Sequence, residues 1–209
     1  MDNRRNNLSM LVLTGIFAAI VTICSWITVP LPFTQVPINL AVLGVLLAGS
    51  CLGGKYGSLS ILIYILLGAV GIPVFAGFGA GLGTLAGPTG GYIVGYILCA
   101  AIAGLGGGSA QQHPGGAAAV PRAQSSDPVI QNPASGTRTA HRNRPVCLAL
   151  CMLLGVAACY ALGTLWYAHL MQTTIWAALA LCVIPFIPCD ALKIAAAVFL
   201  VTPLHKLLG

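Results

Sequence analysis

Asp190 and Lys193 stand three residues apart in "FIPCDALKIAAA" (186–197), inside the last long apolar stretch of a 209-residue chain. The other two of its three acidic residues, Asp2 and Asp127, lie in polar flanks. A carboxylate or an ammonium at bilayer depth costs about 2.5–3.5 kcal/mol on insertion scales, so a pair retained there calls for a function. As a bare ion pair it would stabilise little, because desolvation offsets the attraction. Catalysis fits the residues poorly. Intramembrane aspartyl chemistry needs two carboxylates and one is on hand. A zinc hydrolase needs a histidine–glutamate cluster, and the chain has no glutamate. A serine nucleophile needs a histidine at depth, and the one candidate, His169, sits near the end of its segment. A pore would repeat polar residues along several helices. What remains is the polar end of a pocket for a small, polar-headed molecule.

The segments that must position this pair are apolar. Of the residues 58% are hydrophobic and 6% charged, against about 25% charged in a soluble domain. No soluble interior can hide that share, so the fold class is an all-α integral membrane protein. A crossing needs about 20 apolar residues, and the segments that meet or approach this are about 8–29, 38–53, 57–74, 90–107, 146–171 and 175–207. The last is broken by Pro185 and Pro188, each of which lacks a backbone donor. It divides into a short outer helix (175–184) and a sixth crossing (189–207). The opening "MDNRRNNLSMLVLTGIFAAIVTICSWITV" has an apolar run too long for a signal peptide and no small-x-small cleavage site; it is the first helix. The stretch 108–145, rich in Gly, Pro, Ala and Ser, cannot bury a core and is expected to be a disordered cytoplasmic linker.

The charges orient the bundle. With six crossings Arg4, Arg5, Lys55, Arg122, Arg138, Arg142, Arg144 and Lys206 all fall on one side, and of the nine basic residues the ninth is Lys193. By the positive-inside rule both termini are cytoplasmic. The same segregation explains the net charge of +6 without nucleic acid as a partner. Lys206 lies 16 residues past Asp190, roughly 24 Å at helical rise, so the Asp190/Lys193 pair opens toward the outside. The eight cysteines sit in apolar segments as small packing residues. Cys147 and Cys151 share a face but have no third ligand nearby, so neither a metal nor another cofactor is expected.

Two glycine-rich look-alikes carry no nucleotide chemistry. "GSCLGGKY" (49–56) has Tyr56 where a phosphate loop needs Ser or Thr, and it follows an apolar helix rather than a strand. "GFGAGLG" lacks a surrounding βαβ unit. The outer loop at 72–91 that contains it serves either close approach of backbone to a ligand or tight helix packing.

Several stretches resemble one known family. "GVLLAG-CLGGKYG", "GIPVFAG", "LAGPTGGYIVGY" and "PFIP-D-LK" are similar to the biotin-binding membrane subunit of energy-coupling-factor (ECF) vitamin transporters, the BioY family, over about 8–105 and 146–207. The resemblance implies a six-helix protein of the bacterial cell membrane that captures biotin from outside. It also implies separate partner chains, a transmembrane coupling protein and a pair of cytoplasmic ATPases, in a lipid bilayer. Position by position, Asp190 and Lys193 match the acidic and basic residues that hold the vitamin. Pro88, Thr89, Gly90, Gly91 and Tyr92 match the loop beside the pocket, with Gly79 upstream of it. Gly15 and Ala19 match the small-xxx-small surface of helix 1 that meets the coupling protein, a spacing that permits close helix approach. The chain departs from the family in its long linker and in Cys189, where glycine is common. In a biotin site Asp190 would accept a ureido N–H while Lys193 donates to the ureido carbonyl, or Lys193 would take the carboxylate tail. A stand-alone permease and a subunit for another vitamin are the alternatives.

Overall fold

The computed structural model describes residues 2–32, 34–106 and 144–208. The linker expected over 108–145 lies outside the described residues except for its last two positions, which are already helical. The first helix, α1 (Asp2–Trp26), ends three residues short of the expected Val29. Instead Thr28–Val29 (β1) pairs antiparallel with Ile38–Asn39 (β2), Thr28 opposite Asn39 and Val29 opposite Ile38. Proline explains the departure from pure helix. The residue before a proline is pushed out of the helical region, and Pro30 follows β1 as Pro37 precedes β2.

Helix α2 (Ala41–Val70) holds the body of both helices expected over 38–53 and 57–74, joined by one residue, but starts at Ala41 because Ile38–Asn39 pair as a strand. Gly53, at φ 79° and ψ 168°, leaves helical geometry, a backbone position open in practice to glycine alone. The chain folds back there. A Cβ placed on Gly57 would lie 2.7 Å from the Gly49 Cα, whereas residues eight apart on a straight helix are about 12 Å apart. The second limb stops at Val70 rather than 74 because Gly71 adopts the left-handed cap (φ 108°). The pseudo phosphate loop at 49–56 is therefore helix on both sides of a bend.

A 3₁₀ turn (Ala76–Phe78) and the short α3 (Leu82–Ala86) lead into α4 (Gly90–Gly106). The described chain resumes with α5 (Arg144–Met171), α6 (Ile175–Cys182), a 3₁₀ turn at Ile184–Phe186 and α7 (Ile187–Leu208). Thr174 caps α6 by accepting the Ala177 N–H; the turn that holds Pro185 separates α6 from α7, which starts at Ile187, with Pro188 in its first turn, rather than at the expected 189. Among the described residues four segments are long and apolar enough to cross a membrane: Leu8–Trp26, Ala41–Val70, Pro145–Met171 and Ile175–Thr202. Gly90–Gly106 is a shorter apolar helix.

The core lies between α1, both limbs of α2, α4 and α5. Leu46, Ile61, Tyr64, Phe75 and Met152 are fully enclosed there. Leu66, Leu153, Leu162 and Phe199 face outward, which suits lipid rather than water as the surrounding solvent. Polar side chains bind helices together from within. Ser60 Oγ donates to the Thr14 carbonyl across α2 and α1 at 2.9 Å, and Ser58 Oγ reaches the Ile97 carbonyl of α4 at 3.3 Å.

Candidate functional site

Asp190 and Lys193 occupy the first turns of α7, where the partial positive charge of the helix N-terminus favours a carboxylate. Both are buried, at 4% and 9% exposure. Lys193 Nζ donates to Asp190 Oδ1 at 2.7 Å, and the Tyr160 hydroxyl of α5 donates to Oδ2. Each carboxylate oxygen thus has one donor. A carboxylate offers about four acceptor sites and an ammonium three donors. Among the described residues Asp190 is the one hydrogen-bond partner of Lys193, so two N–H groups and two acceptor sites stay unclaimed.

Those groups border a cavity of about 360 Å³. Its wall beside the pair is aromatic: Tyr64 from α2, Tyr92 and Tyr96 from α4, Tyr160 from α5, and Phe75 and Phe186 from the turns. Asn39, Gln35 and Pro37 enter from the segment around β2, and Ala76, Gly79, Thr84 and Thr89 from the 71–89 segment. Cys99, Cys159 and Cys182 fill in between. An apolar, aromatic enclosure with a few convergent polar groups is the usual form of a small-molecule site.

The walls are positioned by close helix approach. A Cβ on Gly163 would fall 2.3 Å from the Tyr92 ring, and one on Gly91 would fall 2.3 Å from Trp166 Cβ. Glycine at these two places lets α4 and α5 draw together and seats Tyr92 flat over α5. Tyr92 then meets Tyr160 edge to face, with ring centres 6.5 Å apart, and its hydroxyl lies 3.4 Å from Thr164 Oγ1. The 71–89 segment, which roofs the cavity, is tied down at three points. Trp26 Nε1 donates to the Pro73 carbonyl at 2.9 Å, Ser25 Oγ to the Val74 carbonyl, and Trp166 Nε1 to the Gly87 carbonyl at 3.0 Å.

Of the residues singled out in the sequence, Asp190, Lys193, Tyr92, Thr89 and Gly79 line this one cavity. Gly90 and Gly91 do not. They pack beneath the Leu85 carbonyl and Trp166, respectively, so they serve helix approach. Pro88 forms the turn before α4. Gly79 has ordinary backbone; Gly71, Gly77, Phe78 and Gly81 take the positive φ in that loop. Gly15 and Ala19 lie on the outer surface of α1, away from the cavity, and a Cβ on Gly15 would meet nothing within 4 Å. Tyr160, Tyr64, Tyr96 and Asn39 were not anticipated. All six tyrosines of the chain stand inside apolar helices, and four of them line the cavity; the one local signal is that Tyr92 and Tyr96 are one turn apart on one face.

A family model described as the BioY family matches residues 1–209. A probable biotin transporter BioY of Pyrococcus horikoshii is 35% identical over 188 residues, covering 90% of this chain and 91% of that one. The biotin transporter BioY of Rhodobacter capsulatus is 33% identical over 87% of this chain and 85% of its own. That of Thermotoga maritima is 48% identical over 95 residues, which span 46% of this chain and 55% of the relative. Among solved structures, the S-component for biotin from an ECF-type ABC transporter superposes with a TM-score of 0.76. It is 23% identical and covers 97% of this chain and 93% of its own; at that identity the likeness is one of fold.

Proposed function

The chain belongs to the BioY family, and on that footing we propose that it is a membrane-embedded biotin-binding (S) component of an ECF-type vitamin transporter. The observation that carries this reading is the Asp190–Lys193 pair, neutral overall, with acceptor and donor sites unclaimed beside an aromatic cavity. A ureido ring presents N–H donors and a carbonyl acceptor and has no charge. Asp190 accepts an N–H and Lys193 donates to the carbonyl, both charge-assisted. The alternative, a ligand carboxylate against the pair, would leave net negative charge in a dry site. The carboxylate tail therefore points to the mouth, where Gln35 is exposed. Thr89 and Tyr92 flank the tail, and Gly79 lets the 71–89 roof lie close upon it.

The bundle crosses the membrane six times, counting the two limbs of α2 separately, with both termini cytoplasmic. Lys55, just past the Gly53 bend at the end opposite the 71–89 segment, supports this orientation, since basic residues favour the cytoplasmic side; Trp26, Trp166 and Trp176 supply the interfacial aromatic side chains at the other end. The cavity thus opens outward from the plasma membrane of a bacterium. Gly15 and Ala19 present a smooth outer stripe on α1 to the transmembrane coupling protein, and a separate ATPase pair supplies the energy.

Purified protein in detergent or nanodiscs, titrated with biotin and in parallel with thiamine, riboflavin and folate, tests the assignment. Saturable binding of biotin alone is expected. Preference for another vitamin, or no saturable binding of any, overturns it. Co-purification with a coupling protein and ATPases tests the partner assignment separately.

A further inference from the structure

Tyr160 contributes to this site in a way that neither the charge pattern nor the family resemblance assigns. Its hydroxyl donates to Asp190 Oδ2, on the oxygen opposite the one that Lys193 holds. The three groups come from two helices, Tyr160 from α5 and the pair from α7. The tyrosine is itself wedged by the Tyr92 ring. A carboxylate held by Lys193 alone could rotate about its Cβ–Cγ bond and turn its free acceptor sites away from the cavity. Two donors on opposite oxygens remove that freedom, and an ionised acceptor makes each bond stronger than a neutral one.

We propose that Tyr160 is a positioning residue: it locks the orientation of the Asp190 carboxylate so that one acceptor site on each oxygen stays directed at the ligand. The proposal rests on the cavity being the biotin site for its functional consequence, but the Tyr160–Asp190 bond can be tested without biotin.

Two measurements separate these. The chain has three acidic residues, so protein carrying Asp2→Asn and Asp127→Asn, made by cell-free synthesis with carboxyl-¹³C aspartate, has Asp190 as its one labelled side-chain carboxylate. Infrared carboxylate bands of this protein should shift when Tyr160→Phe is added, because that change deletes one hydrogen bond to a defined oxygen and keeps the ring. In the second measurement, biotin affinity should fall about tenfold for Tyr160→Phe in the parent. In an Asp190→Asn background the same change should cost no more than about twofold, since a residue that acts through another loses its effect when that partner is altered. A role in packing alone would cost the same in both backgrounds and leave the bands unmoved; either result overturns the proposal. Shifted bands in a parent that binds no biotin would remove the biotin assignment and leave the role of Tyr160 toward Asp190 standing.

Discussion

The Asp190–Lys193 pair invites a test in which stability and affinity move in different directions. Both side chains are buried and joined at 2.7 Å. Removing one partner leaves an uncompensated charge, a change that destabilises a fold by about 3–5 kcal/mol at a buried site, whereas removing both is often neutral or stabilising. Ligand-free melting temperatures should accordingly fall for Asp190→Asn and for Lys193→Met, and recover in the double variant. Affinity follows another rule. If each residue gives biotin one charge-assisted hydrogen bond worth about 1.5–3 kcal/mol, each single change weakens binding roughly 10- to 100-fold or more. The double variant should bind no better than the weaker single, with a total loss less than the sum of the two, because each single loss includes the cost of the stranded partner charge. The assay is equilibrium binding of labelled biotin beside a ligand-free melt of the same preparation. A double variant that melts like the parent and also binds biotin like the parent would show the pair to be structural and refute the site assignment.

Further outcomes follow from the packing and the topology. Gly163→Ala should lower both the melting temperature and biotin affinity. The new Cβ would sit 2.3 Å from the Tyr92 ring, at an overpacking cost of about 1–3 kcal/mol that exceeds the roughly 0.5–1 kcal/mol alanine usually gains over glycine in a helix; net stabilisation would contradict the α4–α5 approach described above. For topology, a membrane-impermeant maleimide applied to intact cells should label cysteine at Leu82, which is 69% exposed on α3, or at Thr173, and should spare cysteine at Arg122. The reverse pattern would invert the direction from which ligand enters.

Composition alone determined that this is a membrane protein, because 6% charge leaves too few polar groups to dress a soluble surface. Local chemistry also made the main breaks legible. Proline and glycine act through their own backbone, so the bend near residue 53 and the separation of α6 from α7 could be located without knowing what surrounds them. The acidic–basic pair announced itself because a charge is conspicuous wherever its neighbours are apolar. Tertiary structure decided the rest. That the turn at Gly53 needs a single residue depends on α2 packing against itself and on α4, and the β1–β2 pair depends on two segments about ten residues apart meeting. Gly90 and Gly91 belong to a motif beside the cavity, yet what they touch is Leu85 and Trp166, since helix rotation about its axis is set by the neighbouring helix. Tyr160 could not be assigned from its own surroundings in the chain. It lies thirty residues from Asp190, and its hydroxyl reaches that carboxylate only because α5 and α7 pack against each other in the folded chain.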